Sequence, residues 1–259
     1  VYTPHAYSYL SAESKKKYFL LKNIERFFGL LPAKTFACSN SEFNRAIADL
    51  KIKKEKVVLW NNSIENGIKL TNSDFLTKLP KDFICSIGRP SFQKNTELLI
   101  EAVLKLKQTH SSIHLVILGV GFYSPILEKI KKSISENNLS KNITLIPWLE
   151  RDKSLAILDK SLVYISSSRY EGLPYSVIEA LSLSKPCVLT DVDGNKDLVK
   201  DNYNGFLVKE DANELAEKII FFLNNNYLRK DMGKNSRKEF ESFYDIKKNI
   251  KKLENLYLD

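Results

Sequence analysis

The stretch Arg169-Tyr-Glu-Gly-Leu-Pro-Tyr-Ser-Val-Ile-Glu-Ala-Leu181 places two glutamates, Glu171 and Glu179, eight positions apart across a predicted strand-to-helix turn. The apolar run at 162–165 before it predicts a short buried strand, and the apolar positions within 175–183 have helical spacing. Glu171 is therefore expected in a loop at the carboxyl end of a strand, and Glu179 about one turn into the next helix. Because ligands of open α/β sheets bind at that edge, the stretch predicts a ligand site.

The two glutamates and the start of the helix suit a sugar nucleotide. A helix amino terminus offers free N–H groups and a positive dipole end to a phosphate. Carboxylates accept hydrogen bonds from sugar hydroxyls, so Glu171 and Glu179 are candidate ligands of a sugar or a ribose. Taken alone, either glutamate fits a solvated loop or helix surface better, so the prediction depends on the pair and its neighbours.

Written as EGLPYSVIEAL, residues 171–181 resemble the Glu-x7-Glu signature of retaining glycosyltransferases of the GT-B fold, family 4, also called glycosyl transferases group 1. Further segments resemble the strands and loops of that family in the same order along the chain. These segments are 84–89 with Lys94, 116–121, 186–194 and 201–208. The resemblance covers residues 83–259 well and residues 1–82 more weakly.

Strands and helices alternate regularly after residue 80, which predicts an α/β fold with a doubly wound parallel sheet. The predicted strands are 83–87, 114–118, 143–146, 162–165, 186–189 and 206–208. Asn95 is expected to cap the helix that follows the first of them. The three cysteines, Cys38, Cys85 and Cys187, lack metal-ligand spacing and are expected to be reduced core residues.

The resemblance implies a GT-B architecture of Rossmann-like domains. Residues 1–80 would form a partial N-terminal, acceptor-side domain, 81–242 the C-terminal nucleotide-sugar-binding domain, and 243–259 a helix that crosses back to the first domain. The segment 1–7 resembles the middle of the family's N-terminal domain, where a strand ends on a functional histidine. About half of that domain, with its acceptor-side glycine-rich loop, is therefore expected to be missing from this sequence.

When the bond between a sugar and a nucleoside diphosphate breaks, the charge of the diphosphate must be neutralised. A site without a metal ion uses fixed cationic side chains for this. Arg89 follows Gly88 at a predicted strand end and can make bidentate contacts, and Lys94 adds a point charge. Both match the family's diphosphate-binding residues. The resemblance adds main-chain donors at three further positions of the glutamate stretch, whereas its proline has no N–H to donate. Those three positions are Leu173, Tyr175 and Ser176.

The resemblance also assigns the rest of the donor. Glu179 would bind the ribose, Glu171 and Gly172 the transferred sugar, and His5 would act with Glu171 as a catalytic residue from across the cleft. Glu171 would be either a transient nucleophile or a group that orients the sugar. Trp148 and Leu149 fall where the family's loop lines the base pocket. Trp148 either stacks on the base or packs against the protein, and these alternatives carry equal weight.

Composition limits the partners. The chain of 259 residues has a formal net charge of +9 at pH 7. This charge favours polyanions, yet no nucleic-acid motif accompanies it, so an anionic membrane surface is the expected counterpart. No apolar run approaches the roughly 18 residues of a membrane span, which favours a cytoplasmic enzyme, peripheral on the inner face of the cytoplasmic membrane.

The resemblance thus implies a retaining hexosyltransferase, and we expect it to be metal-independent and to need no cofactor. It would move a sugar from a nucleoside diphosphate donor, which we expect to be UDP-linked. The acceptor would be a hydroxyl of a lipid-linked or oligosaccharide molecule in a growing lipopolysaccharide, capsule or exopolysaccharide. The alternatives are a nucleotide-sugar-binding module without transfer activity and a GT-B-fold epimerase or phosphorylase. A phosphorylase would need a lysine for pyridoxal phosphate, for which the sequence has no motif.

Overall fold

The computed structural model describes residues 1–31, 34–71, 74–121 and 123–258 as an α/β protein with two parallel sheets. The strands are β1 (Thr35–Ala37), β2 (Val57–Leu59), β3 (Ile84–Ile87), β4 (Leu115–Val120), β5 (Ile143–Pro147), β6 (Tyr164–Ser166), β7 (Cys187–Thr190) and β8 (Gly205–Val208). The helices are α1 (Lys15–Gly29), α2 (Asn40–Ala48), α3 (Thr96–Thr109), α4 (Leu127–Glu136), α5 (Arg151–Lys160), α6 (Tyr175–Ser182), α7 (Asn195–Leu198), α8 (Ala212–Asn224), α9 (Asn226–Glu239) and α10 (Ile246–Leu258). The predicted parallel α/β class is confirmed.

The larger sheet has six strands in the order β5-β4-β3-β6-β7-β8, and all its strand pairs are parallel. The chain builds outward from β3 to one edge, returns to the centre at β6, and then builds outward to the other edge. The strand order therefore reverses between β3 and β6. A crevice for a ligand forms outside the carboxyl ends of strands at such a switch point, and both halves of the predicted site follow these two strands.

Alternation of side chains along the strands gives the larger sheet a buried face on each side. On one face, Ile117 and Val188 belong to a core that α3, α4 and α8 cover. On the other face, Val116 and Leu189 belong to a core that α5 and α6 cover. The aliphatic side chains on both faces are fully buried. The sheet is therefore well packed, and its carboxyl edge can hold the residues of a site in fixed positions. The three cysteines are buried and free, as the sequence predicts.

The N-terminal part of the chain has a much smaller sheet, in which β1 pairs with β2 and Tyr2 forms a bridge to Thr35. Its core is a separate cluster of buried residues. They are Tyr7, Tyr9, Ala37, Ala46, Leu50, Ile52 and Val57. Helix α1 beside it leaves large apolar side chains exposed, among them Phe27 at 63% and Phe28 at 59%.

The two parts meet through main-chain and side-chain hydrogen bonds near the C-terminus. Ile64 N–H donates to the carbonyl of Tyr244, and Ile246 N–H donates back to the carbonyl of Ile64. Trp60 Nε1 donates to the carbonyl of Asn249 in α10 at 3.2 Å. The chain thus returns to the N-terminal part over 244–249. Asp259, the last residue of the predicted crossing segment, lies outside the described residues.

Asn95 is the N-cap residue of α3, as predicted, but its side chain does not cap the helix. Its backbone is left-handed, with φ of 47°. An N-cap residue normally has extended backbone, so the left-handed conformation turns the side chain away from the helix N–H groups. The Asn95 Nδ2 donates to Glu210 Oε1, in a distant loop, at 2.8 Å. Within the described ranges, no helix combines the length and apolar character that crossing a bilayer requires.

Candidate functional site

A cavity of about 580 Å³ opens between the N-terminal part and the carboxyl edge of the larger sheet. It brings together predicted residues that are far apart in sequence. Its lining includes His5, Lys94, Glu171, Gly172, Leu173, Tyr175, Ser176 and Glu179. Three other predicted residues do not line it: Arg89 is exposed, Trp148 is 75% exposed, and Leu149 packs against a core cluster.

Glu171 and Lys94, which the sequence assigns to different parts of the donor, form one ion pair. Lys94 Nζ lies 2.6 Å from Glu171 Oε1, and Ser168 Oγ donates to the same oxygen at 2.7 Å. Among the described residues, Glu171 Oε2 has only a long bond from Gln93 Nε2, at 3.4 Å. The loops after β3 and β6 supply the two partners, so the switch point creates the pair. Glu171 Oε2 is the oxygen that has capacity for a further donor.

Glu179 lies on α6 with its side chain mostly buried, and Arg151 Nε donates to its Oε1 at 2.7 Å. Burial raises the pKa of Glu179, and the Arg151 charge pulls this pKa back only in part. Arg151 is the first residue of α5 and was not among the predicted site residues. A basic residue at a helix start is a weak sequence signal, because only the fold places it beside Glu179.

Helix α6 begins inside the cavity. Pro174 is its N-cap residue, so Tyr175 and Ser176 contribute the first helical N–H groups. The first N–H groups of a helix have no partner within the helix and attract anions. The buried Tyr164 hydroxyl donates to Ser176 Oγ at 2.9 Å and so orients that side chain. A helix start beside Lys94 gives this end of the cavity the donors that a diphosphate requires.

His5 reaches the cavity from the N-terminal part on a turn that packs tightly against Gly172. His5 and Ala6 both have left-handed backbone, with φ of 49° and 77°. A Cβ atom at Gly172 would lie 2.7 Å from the Ala6 nitrogen, and one at Gly194, where φ is 81°, would lie 2.7 Å from the Gly172 oxygen. Both positions therefore require glycine, and Gly172 sets how closely His5 approaches the sheet edge.

Asn62 is a cavity residue that the sequence did not assign to the site. It is 3% exposed, and its Nδ2 donates to the carbonyl of Leu173 at 2.9 Å. Its Oδ1 is buried and has no hydrogen-bond partner within the part of the chain that the structure describes. Since buried acceptors are normally satisfied, this oxygen is available to a ligand donor.

The loop after β7 contacts helix α2 of the N-terminal part. Asp193 pairs with Arg45 and with Lys196, and Ser41 N–H donates to Asp197 Oδ1 at 3.1 Å. Burial opposes ionisation of Asp193, but Lys196 and Arg45 outweigh it and lower its pKa. The Asp191-Val-Asp193 sequence is thus part of a contact between cations and carboxylates. Across the ranges that the structure describes, no cluster of His, Cys, Asp and Glu could hold a metal ion.

A cavity at the switch point of a parallel sheet, lined by a lysine, a helix start and two glutamates, is typical of a class of nucleotide-binding α/β proteins. Comparison with known proteins identifies the family. The model of the family "Glycosyl transferases group 1" matches residues 71–239, so the chain belongs to that family. Its folded structure is similar to that of HepE from Anabaena, solved with UDP and glucose, at a TM-score of 0.80 and 18% identity. That match covers 98% of this chain and 71% of HepE. Likeness to such GT-B glycosyltransferases confirms the predicted fold.

Two relatives in sequence are bacterial transferases of cell-surface glycans. The poly(ribitol-phosphate) alpha-N-acetylglucosaminyltransferase of Staphylococcus aureus is 28% identical over 207 residues. This match covers 77% of the chain but 41% of that protein, so the chain spans less than half of its length. The UDP-Gal:alpha-D-GlcNAc-diphosphoundecaprenol alpha-1,3-galactosyltransferase of Escherichia coli is 25% identical over 273 residues, with 100% and 68% coverage.

Proposed function

We propose that this protein transfers a hexose from a UDP-linked donor to a hydroxyl of a growing cell-surface glycan, with retention of anomeric configuration. The observation that carries the proposal is the single cavity in which Lys94, the start of α6 and two glutamates converge. His5 faces them from the other side. Support comes from the relatives, which are named for transfer of N-acetylglucosamine and galactose to cell-surface acceptors.

The arrangement suggests a role for each group. Lys94 and the N–H groups at Tyr175 and Ser176 would hold the diphosphate and stabilise its charge as the bond to the sugar breaks. Arg89, which lies outside the cavity lining, would add its charge from the rim. To reach a phosphate, Lys94 must leave Glu171, and this frees Glu171 Oε1 for a sugar hydroxyl. Donor binding would thus convert an internal ion pair into two contacts with the ligand.

The remaining contacts follow from the positions of the other side chains. Glu179, held by Arg151, would accept hydrogen bonds from the ribose hydroxyls. Gly172 would let the sugar approach the main chain, and His5 would contact the sugar or its phosphate from across the cleft. Trp148 and Leu149 remain candidates for the base, since the exposed Trp148 ring offers a free face for stacking. Each assignment is a proposal that a single substitution can test.

Metal independence is part of this proposal. Fixed cations and a helix start would carry the charge stabilisation that a divalent ion supplies in other transferases. The test is calorimetric titration of UDP with and without excess EDTA. We expect equal affinity in both, and loss of UDP binding in EDTA would contradict it.

We further propose that α1 contacts the anionic membrane that carries a lipid-linked acceptor. The helix begins with Lys15, Lys16 and Lys17, which are exposed, and Phe27 and Phe28 protrude further along it. Lysines attract anionic headgroups, and aromatic side chains insert at the interface. We expect the protein to sediment with vesicles that contain phosphatidylglycerol and not with pure phosphatidylcholine. Exchange of both phenylalanines for serine should abolish sedimentation; no change would contradict the proposal.

The test of the proposed function is binding followed by transfer. Calorimetry with UDP, GDP, ADP and their glucose conjugates should show the tightest binding for the UDP forms. Release of glucose from UDP-glucose, with and without a lipid-linked acceptor, then measures chemistry. Absence of binding for every nucleotide would contradict a nucleotide-sugar site. Tighter binding of GDP or ADP would contradict the proposed base alone.

A further inference from the structure

The buried carboxylate of Glu42 makes hydrogen bonds that its local sequence does not explain. Ser39-Asn-Ser-Glu42 has the pattern of a capping box at the start of α2, and Ser39 Oγ does accept the Glu42 N–H at 3.1 Å. In a capping box, the glutamate side chain returns to the N–H of the cap residue. Here Glu42 Oε2 accepts from Cys38 N–H at 2.9 Å, and Oε1 accepts from Ala6 N–H, 36 positions earlier in the chain.

The bond to Ala6 fixes the turn that carries His5. Two successive non-glycine residues with positive φ are unfavourable, so this turn needs contacts that hold it. Glu42 Oε1 supplies one from the N-terminal part. On the opposite side, Gly172 packs so closely that an added Cβ would lie 2.9 Å from Glu42 Oε1 and 3.0 Å from the His5 carbonyl carbon. The Glu42 carboxylate, the His5–Ala6 turn and the loop that carries Gly172 are therefore in direct contact.

The surroundings of Glu42 select a carboxylate. Glu42 is 2% exposed, and among the described residues no lysine or arginine pairs with it. The two main-chain donors and the start of α2 stabilise its negative charge instead. Both of its oxygens face an N–H group, so a glutamine would turn its own NH₂ toward one of them. A residue needed only to cap α2 would use one oxygen, and the second is committed to Ala6.

We propose that Glu42 is a positioning residue of the transfer site, whose carboxylate holds the His5–Ala6 turn over the cavity at Gly172. Glu42 does not line the cavity and acts through His5. The inference rests on the proposed function, in which His5 contacts the donor sugar or its phosphate, and it takes the sugar as the group that His5 contacts. It also couples the start of α2, which binds Asp197 through Ser41, to the placement of His5.

The first test needs no ligand. The chain has three histidines, His5, His110 and His114, so their imidazole resonances can be followed separately by NMR. We expect Glu42→Gln to shift the His5 resonances and to leave those of His110 and His114 in place. Ser39→Ala is the matched control, since it removes a cap of the same helix without touching Ala6. Unchanged His5 resonances in Glu42→Gln, or equal shifts in the control, would overturn the proposal.

The second test connects the turn to the sugar. Wild-type protein, Glu42→Gln, His5→Ala and the double variant are titrated with UDP and with UDP-glucose. We expect each single variant to lose about tenfold in UDP-glucose affinity relative to UDP, the size of one hydrogen bond. The double variant should lose no more than either single one, and additive losses would overturn the proposal. Glu42→Ala, with its melting temperature, replaces Glu42→Gln if that variant does not fold.

The two tests also separate this inference from the proposed function. A wild-type protein that binds neither UDP nor UDP-glucose would contradict the proposed function, while the ligand-free spectra would still decide whether Glu42 places His5. If UDP-glucose binds and His5→Ala leaves its affinity unchanged, His5 does not contact the sugar and the role of Glu42 in transfer is overturned.

Discussion

The larger and the smaller sheet of this protein differ in how they support the cavity between them. The six-stranded sheet is buried on both faces, and it supplies Lys94, both glutamates and α6. The two-stranded sheet rests on a small cluster beside a helix with exposed phenylalanines, and its part of the chain supplies His5 and Asn62. The groups proposed to bind the nucleotide thus stand on the better-packed part. Those proposed to complete the site around the sugar stand on the less protected one.

The difference in packing divides nucleotide affinity and sugar recognition between the two parts of the cleft. Electrostatic groups stabilise a charge best when they are held rigidly, because no energy is lost in reorienting them. A part that carries fewer buried contacts opens more easily, and such parts are the ones that move when ligands enter. Nucleotide affinity should therefore survive damage to the N-terminal part, whereas recognition of the sugar should not.

The largest expected effect comes from removing a side chain from the core that packs with either sheet. Ile165 and Leu50 are both fully buried, one in the larger and one in the smaller core. Ile165→Ala should lower the free energy of unfolding of the larger sheet by about 2–5 kcal/mol. Leu50→Ala should reduce hydrogen-exchange protection in β1 and β2 and leave β3 to β8 protected. Equal loss of protection in both sheets for Leu50→Ala would mean that they unfold as one unit.

The next largest effect is a loss of UDP affinity when the lysine of the cavity is removed. Lys94→Ala should weaken UDP binding by roughly 1.5–3 kcal/mol, the range of a hydrogen bond to a charged group. Arg89→Ala should cost less, about 1 kcal/mol or below, because Arg89 is exposed and its charge is screened by solvent. Calorimetry measures both, and melting curves show whether each variant is folded.

A matched control separates local from general charge effects. Lys129 is 69% exposed, pairs with Glu97, and does not line the cavity. Lys129→Ala removes the same charge and should leave UDP affinity unchanged. A loss in this control as large as in Lys94→Ala would mean that net charge, rather than the cavity, attracts the nucleotide.

The smallest expected effect is a shift in pH dependence. Burial raises the pKa of Glu179 above the ordinary range of glutamates, and Arg151 lowers it in part. If ionised Glu179 binds the ribose, UDP affinity falls as the pH drops through this raised pKa. Arg151→Ala should raise the pKa further and move the fall to higher pH, by a small step because Arg151 is half exposed and solvent screens its charge.

Glu179→Gln is the reference for that titration. The nucleotide phosphate also titrates, and its contribution persists in this variant, so the difference from wild type isolates Glu179. An acid limb that stays in place in Arg151→Ala, or that persists unchanged in Glu179→Gln, would contradict the assignment of Glu179.

The sequence predicted the features that depend on local pattern, namely the strands and the element on which each glutamate lies. Apolar spacing located six strands of the larger sheet to within about two residues, and it placed Glu171 in a loop and Glu179 on a helix. It could not predict pairs formed between loops that meet only at the sheet edge. Lys94 and Glu171 are 77 positions apart, and Arg151 and Glu179 are 28 apart.

The missing side-chain cap at Asn95 is a similar case. Asn95 has a residue type that suits a helix start, but its backbone is left-handed and its amide donates to Glu210, 115 positions later. Glu42 is the converse case, since a local capping pattern hides a contact with a distant turn. In both residues, the side-chain partner is chosen by packing between elements, which propensity and spacing do not encode.

The most direct test of the account compares the two glutamates by titration of UDP and UDP-glucose. Because ribose is common to both ligands, Glu179→Ala should weaken both by about tenfold, as expected for one lost hydrogen bond. Glu171→Ala frees Lys94 from its ion pair, so it should leave UDP affinity unchanged or higher while it weakens UDP-glucose. Equal losses of UDP affinity in the two variants would contradict the division of the cavity into a ribose end and a sugar end.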